Sequence, residues 1–254
     1  MSATWRNALS LSLLLLIALA RSGPAAAAQL TVLASSAVAA AMQGLAPQFE
    51  HDTGNTLTLH YDTTNALKTG IENGTAFDIA ILTTAASEAL IGSGKILPKD
   101  SHPIARSGIG VAVRAGAPEP DIGTADAFKA ALLSAHSVAF TANGASGTYF
   151  EGLLQRMDIA AAVNAKALRP QGGAVGELVA RGDAELGIQQ ISELLPVGGI
   201  SYVGPLPAEY QNYTVFSASL GAHATNARAG RALIAFLSTP ASRKVFIANG
   251  MEPP

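Results

Sequence analysis

The sequence predicts an α/β protein of two lobes, each a parallel-rich sheet with flanking helices, and three observations carry that reading. Short apolar strands alternate with helical runs along most of the chain, which is the signature of crossover-connected parallel strands. Charged residues make up only 13% of the chain against 49% hydrophobic, as helices packed on both faces of a sheet require. Two long apolar runs, Ile104 to Ala115 and Tyr213 to Leu220, are placed to carry the chain from one lobe to the other and back.

The first residues stand apart from that pattern. Arg6 followed by the apolar run Ala8 to Ala20 and the small residues Ala26-Ala27-Ala28 reads as a secretory leader over residues 1–28. The run is too short for a membrane span, which needs about 20 residues. There is no Cys, so neither a lipid-anchoring thiol nor a disulfide scaffold is available. Export without Cys suits a bacterial periplasm. Net charge is −2, and more negative once Arg6 and Arg21 leave with the leader. No basic run with interleaved aromatics occurs, so nucleic acid is not an expected partner.

From Gln29 the elements follow in order. Leu30 to Leu33 is a strand, and Ala34-Ser35-Ser36-Ala37 turns it directly into a helix that Asp52-Thr53-Gly54-Asn55 breaks. Thr56 to Tyr61 alternates as a strand, and Asp62-Thr63-Thr64-Asn65 caps a short helix closed by Gly74. Phe77 to Leu82 and a helix from Ala85 to Ser93 complete the first unit. Beyond Arg114, Pro118 and Pro120 mark a loop before a helix from Ala125 to Ala135. The strand Ser137 to Phe140 leads through Asn143-Gly144-Ala145-Ser146-Gly147-Thr148 into a helix from Tyr149 to Met157. Ala160 to Lys166 reads as helical, Gln171-Gly172-Gly173 opens a helix to Arg181, and Leu186 to Gln189 is a buried strand. Pro196 to Tyr213 reads as one edge strand plus a surface loop, and two helices from Ala227 and Thr239-Pro240 end the chain. The expected division is lobe 1 over 29–108 plus 221–254 and lobe 2 over 109–220.

Function is carried by the turns. A strand that ends in hydroxyl residues and enters a helix aims that helix's unpaired N–H groups, its dipole and the hydroxyls at one spot. Such turns recur after the strands ending near Leu33, His60, Phe140, Pro170 and Ile188. In an open α/β sheet these are the strand ends that form the ligand crevice. If both halves face one cleft, Ser35, Ser36, Thr63, Thr64, Ser146, Thr148, Gly172, Gly173 and Gln190 converge there. Such neutral donors hold an oxyanion without lysine or arginine, each helix start adding roughly 0.3–1 kcal/mol.

These motifs resemble the periplasmic molybdate-binding proteins of ABC transporters, which have the type 2 solute-binding fold. The resemblance rests on Ala34-Ser35-Ser36, Thr63-Thr64-Asn65-Ala66-Leu67, Phe77-Asp78-Ile79, Ala145-Ser146-Gly147-Thr148-Tyr149, the run Leu178 to Ile188, and Ala232 to Leu237 with Pro240. It implies a periplasmic-binding-protein-like fold, a monomer, a small oxyanion or carboxylate ligand, an ABC permease in the inner membrane as partner, and no cofactor. Carried over residue by residue, Ser35, Ser36, Thr63, Thr64, Ser146, Gly172 and Gln190 are the ligand-binding set. Ala37 stands where the family has a serine, and Gln190 where molybdate binders have a tyrosine, departures that suit a carboxylate better than molybdate. A branch resembling aconitate isomerase uses the same scaffold as an enzyme, and Gln189 to Leu194 fits that branch. Moving a double bond needs a base and an acid at carbon, and His60, Asp62 and Tyr149 are the candidates near the expected cleft. The five His residues show no metal-ligand spacing, and no phosphate loop, Gly-x-Ser-x-Gly or dinucleotide fingerprint occurs.

Overall fold

A computed structural model describes residues 27–254, so the leader expected over 1–28 lies outside the described residues but for its last two. The chain forms two five-stranded sheets, each with helices against it. The first has the order β2-β1-β3-β10-β4, made of Thr56–Asp62, Gln29–Ser35, Ile79–Thr83, Thr214–Gly221 and Ile96–Ser107. The second has the order β7-β6-β8-β5-β9, made of Ala167–Leu168, Val138–Phe140, Leu186–Gln190, Ile109–Arg114 and Ile200–Pro205. β1 runs parallel to β2 and β3, and β6 runs parallel to β7 and β8. One strand in each sheet opposes its neighbours: β10 in the first and β5 in the second. Each of these has just arrived from the other lobe.

Two expectations are corrected here. β10 lies wholly in the first sheet, so the chain has crossed back before Thr214 rather than at 220–221. The crossings are therefore Gly108, between β4 and β5, and the segment between Pro205 and Thr214. The first long strand begins at Ile96 rather than near Ile104. Pro98 and Pro103 hide it in the sequence, and they are tolerated because β4 is a sheet edge with free N–H positions.

Local causes are plain in the first helix, α1 (Ala39–Thr53). Its buried residues Ala41, Met42, Leu45, Ala46 and Phe49 recur at helical spacing and make one apolar stripe. Gly54 ends it in the left-handed conformation, φ 71°, where a side chain would be strained. That stripe packs on Val32, Ala34, Ile79 and Ile81 of the sheet and on α9 (Ala227–Leu237), with Phe49 and Phe236 rings 5.6 Å apart. In the second lobe Phe128, Phe140 and Phe150 form the centre, the last two edge-to-face at 5.0 Å. Asp78, buried before β3, accepts hydrogen bonds from Thr31 N (2.8 Å), Thr225 N (2.7 Å) and Thr225 Oγ1 (2.9 Å). Those charge-assisted bonds hold the loop before α9 onto the first strand.

Candidate functional site

The carboxyl ends of β1 and β2 face those of β6 and β8 across a narrow gap between the lobes. From lobe 1, Ser35, Ser36, Thr63 and Thr64 line it, with Ala37 and Phe216 as apolar floor; from lobe 2 come Thr141, Gly144, Ala145, Gln190 and Glu193. The space left between them is about 20 Å³, room for about one water molecule. Ser36 and Glu193 also line an open groove of about 700 Å³ between α1 and α7 (Val175–Arg181), so they stand where the closed space meets solvent.

Ser35, Thr63 and Thr64 are each held at a helix start. Ser35 caps the 3₁₀ turn Ser36–Val38, its Oγ accepting from Ala37 N at 3.4 Å. Thr63 caps α2 (Thr64–Glu72), accepting from Ala66 N at 3.2 Å, and Thr64 Oγ1 accepts from Thr83 N at 3.4 Å. In lobe 2, α5 (Ala145–Arg156) starts at Gly144 with no side-chain cap, leaving its first N–H groups without an intrahelical or capping partner. Beside that start lies Thr141, 2% exposed, with a buried hydroxyl that has no hydrogen-bond partner. A buried hydroxyl left unpaired is costly, and this one lines the interlobe space.

Among the lining residues there is no Lys, Arg or His. Glu193, on the short helix α8 (Ile191–Leu194), is the one ionisable side chain there. Burial pushes its carboxyl up to about 8, the nearby Glu177 adds to the rise, and a hydrogen bond from Gln189 opposes it. At neutral pH it is therefore mostly a neutral acid and does not repel an anion.

Of the seven expected ligand residues, five line the space: Ser35, Ser36, Thr63, Thr64 and Gln190. Gln190 has a second engagement. Both ends of its amide are satisfied when Oε1 accepts from Thr214 Oγ1 (2.9 Å) and Nε2 donates to the carbonyls of Ser107 (3.0 Å) and Gly108 (3.1 Å). Its donors are thus spent on the first interlobe crossing, while its oxygen accepts from the residue that ends the second. Ser146 is buried in the first turn of α5, and Gly172 donates its N–H to Asn143 Oδ1 at 3.4 Å; neither lines the space. The three acid–base candidates lie elsewhere. His60 is exposed on the edge strand β2, Asp62 is the exposed last residue of that strand and accepts from Thr63 N at 2.6 Å, and the Tyr149 hydroxyl donates to Tyr210 O at 2.9 Å. Strand-end position put them near the crevice, but alternation turned His60 outward and the helix turned Tyr149 toward the loop before β10.

Sequence reasoning missed Thr141 and Glu193. Thr141 follows the strand that ends at Phe140 and was available as a strand-end hydroxyl. Glu193 carried no such signal, because only the docking of α8 between the lobes takes part of its carboxyl's water away.

Two-lobed sheets of this order, with donors gathered at facing strand ends, define a solute-binding protein, and the comparisons agree. The family described as bacterial extracellular solute-binding protein matches residues 30–252, and the chain belongs to that family. A curated relative named aconitate isomerase, from Pseudomonas sp, is 35% identical over 230 residues, covering 88% of this chain and 87% of the relative. The fold is shared with a periplasmic molybdate-binding protein of Azotobacter vinelandii, with TM-score 0.76, 17% identity and 89% and 99% of the two chains covered. It is shared as well with a sulfate-binding protein of Mycobacterium tuberculosis, with TM-score 0.73, 18% identity and 89% and 87% covered.

Proposed function

We propose that the protein captures a small carboxylate oxyanion of the aconitate class in the cleft between its lobes. The observation that carries this reading is the lining: hydroxyls and an uncapped helix start from two facing lobes, no cation, and one carboxyl held neutral. Oriented neutral donors stabilise a desolvated anion as water would, without the rigid geometry a metal or an arginine imposes. A carboxylate is preferred over molybdate because the 35% identical relative is named for aconitate, and because Gln190 replaces the family's tyrosine. Capture requires the lobes to part, since the closed space is far smaller than a tricarboxylate. Export to the periplasm and hand-over to an ABC permease of the inner membrane complete the receptor reading.

Titration calorimetry and thermal shift with cis-aconitate, trans-aconitate and citrate, against molybdate, tungstate and sulfate, test it. Stabilisation of several degrees by the carboxylates alone is expected at concentrations about 100-fold above Kd. Stabilisation by molybdate alone would replace the carboxylate reading, and no response to any of the six would end it.

A second reading, isomerisation of aconitate in the same cleft, is favoured by a specific observation. Glu193 places a titratable carboxyl against the bound anion's position, with an affinity for protons suited to exchange near neutral pH. The fall in ultraviolet absorbance that distinguishes the two aconitate isomers separates enzyme from receptor.

A further inference from the structure

Any isomerase in this cleft needs a group that takes a proton from carbon and gives it back, and the lining offers one candidate. Glu193 Oε1 stands 3.3 Å from the point a Cβ on Gly173 would occupy, with Ser36 Cβ at 3.7 Å and Gln189 Nε2 at 3.8 Å from the same point. The missing side chain at Gly173 thus leaves open the space that the Glu193 carboxyl and Ser36, at the first helix start of lobe 1, both line. Gln189 steadies the arrangement: its Nε2 donates to Gly173 O at 3.1 Å. The charged groups facing Glu193 come from α7, namely Glu177 and Arg181, the latter paired with Asp183 at 2.9 Å; α1 offers Ala39, Ala40 and the neutral Gln43.

We propose that Glu193 is the acid–base catalyst of an allylic proton shift on an aconitate-class tricarboxylate held between the lobes. This rests on the isomerase reading above. The Glu193 carboxylate removes a proton from the methylene carbon, breaking one C–H bond. The electron pair spreads over the three-carbon unit and into the flanking carboxylate, whose growing charge the hydroxyls of Ser36, Thr64 and Thr141 and the start of α5 receive. Glu193, now the acid, returns the proton to the carbon at the far end of the former double bond. One C–H bond has broken and one has formed, the double bond has moved one place, and nothing is oxidised or reduced. The new double bond keeps the geometry in which the methylene arm was held as it lost its proton, so a substrate bound with that arm rotated changes from cis to trans. Burial and the neighbouring Glu177 keep the carboxyl's titration near 8, within reach of both protonation states at working pH.

The test measures interconversion of cis- and trans-aconitate by proton NMR, with trans-aconitate affinity by calorimetry, for the parent protein, Glu193→Gln and Glu193→Asp. The parent is expected to interconvert the isomers with a rate that rises with pH toward a plateau above about 8. Glu193→Gln is expected to lose about 1,000-fold in kcat while affinity changes less than about 5-fold, the mark of a group that acts in the transition state. Glu193→Asp is expected to retain a fraction of the rate with a displaced pH limb, and carries the test if Glu193→Gln shows no melting transition. A Glu193→Gln protein, or failing that a Glu193→Asp protein, with parental kcat and pH limb overturns the assignment while leaving the isomerase reading intact. A parent that binds aconitate without interconverting it overturns both.

Discussion

At the scale of the residue, two polar groups on the cleft lining stand out, the buried Thr141 and the half-buried Glu193. Thr141 keeps a hydroxyl out of water with nothing bonded to it. Thr141→Val is nearly the same shape, so it is expected to leave the melting temperature unchanged or raise it. Carboxylate affinity should fall by about 10-fold or more, the worth of a hydrogen bond to a charged acceptor. Thermal melts paired with calorimetry check this, and unchanged affinity would remove Thr141 from the site. Glu193 gives a pH signature. Its carboxyl titrates near 4.5 when unfolded and near 8 when folded. Between those values the folded protein holds a proton that unfolding releases, so rising pH draws the chain toward the unfolded state. Stability from this group is full below about 4.5, declines through the window and levels off above about 8, a swing of up to a few kcal/mol. Glu193→Gln is expected to flatten that decline in denaturation midpoints compared at pH 5 and pH 9; a slope that persists would show another group to be responsible.

Elements were legible where local chemistry fixes them. The stripe of α1, the caps Thr63, Thr83, Thr124 and Thr239, and the stops at Gly54 and Gly182 all set boundaries close to those the sequence predicts. The start of α5 shows what local pattern leaves out. A Cβ on Gly147 would stand 1.9 Å from the Thr141 carbonyl oxygen, so the helix begins earlier than Tyr149 because glycine lets its first turn press against the end of β6. Gly147→Ala is expected to cost about 2–4 kcal/mol and to weaken ligand binding as well, since it pushes the uncapped N–H groups away from the cleft. Denaturant unfolding reads the first effect. A Gly147→Ala protein of parental stability would show that this close approach does not govern the fold.

At the scale of the molecule, side-chain amides tie the crossings to each other and to the cleft. Gln211, on the returning segment, accepts from Ile109 N at 2.8 Å and donates to Ile109 O at 2.9 Å, so its amide joins the two crossings like a short piece of strand. Gln190 bonds to both crossings while lining the cleft. Across the gap, Asn65 Nδ2 on α2 donates to Asn143 O at 2.8 Å, a bond that opening must break. Hinge closure around a ligand is the expected motion. Gln211→Ala is expected to lower stability by about 1–3 kcal/mol through the unpaired Ile109 backbone groups. It should also widen the spread of open states, seen as a larger radius of gyration by solution X-ray scattering without ligand. Equal radii for parent and variant would assign Gln211 to stability alone.

By itself the sequence determined the alternation of strands and helices, the two crossings in outline, and the hydroxyl-rich turns that became the cleft, because caps, turns and apolar periodicity act over a few residues. Only the tertiary structure decided which of those groups meet. Ser146 and Gly172 were drawn into packing and loop bonds, Gln190 was turned to the crossings, and His60 and Tyr149 were aimed away. Glu193 gained its chemistry from position alone. A carboxyl's proton affinity is set by the water it loses and the charges it faces, and both depend on how two lobes distant in sequence come together.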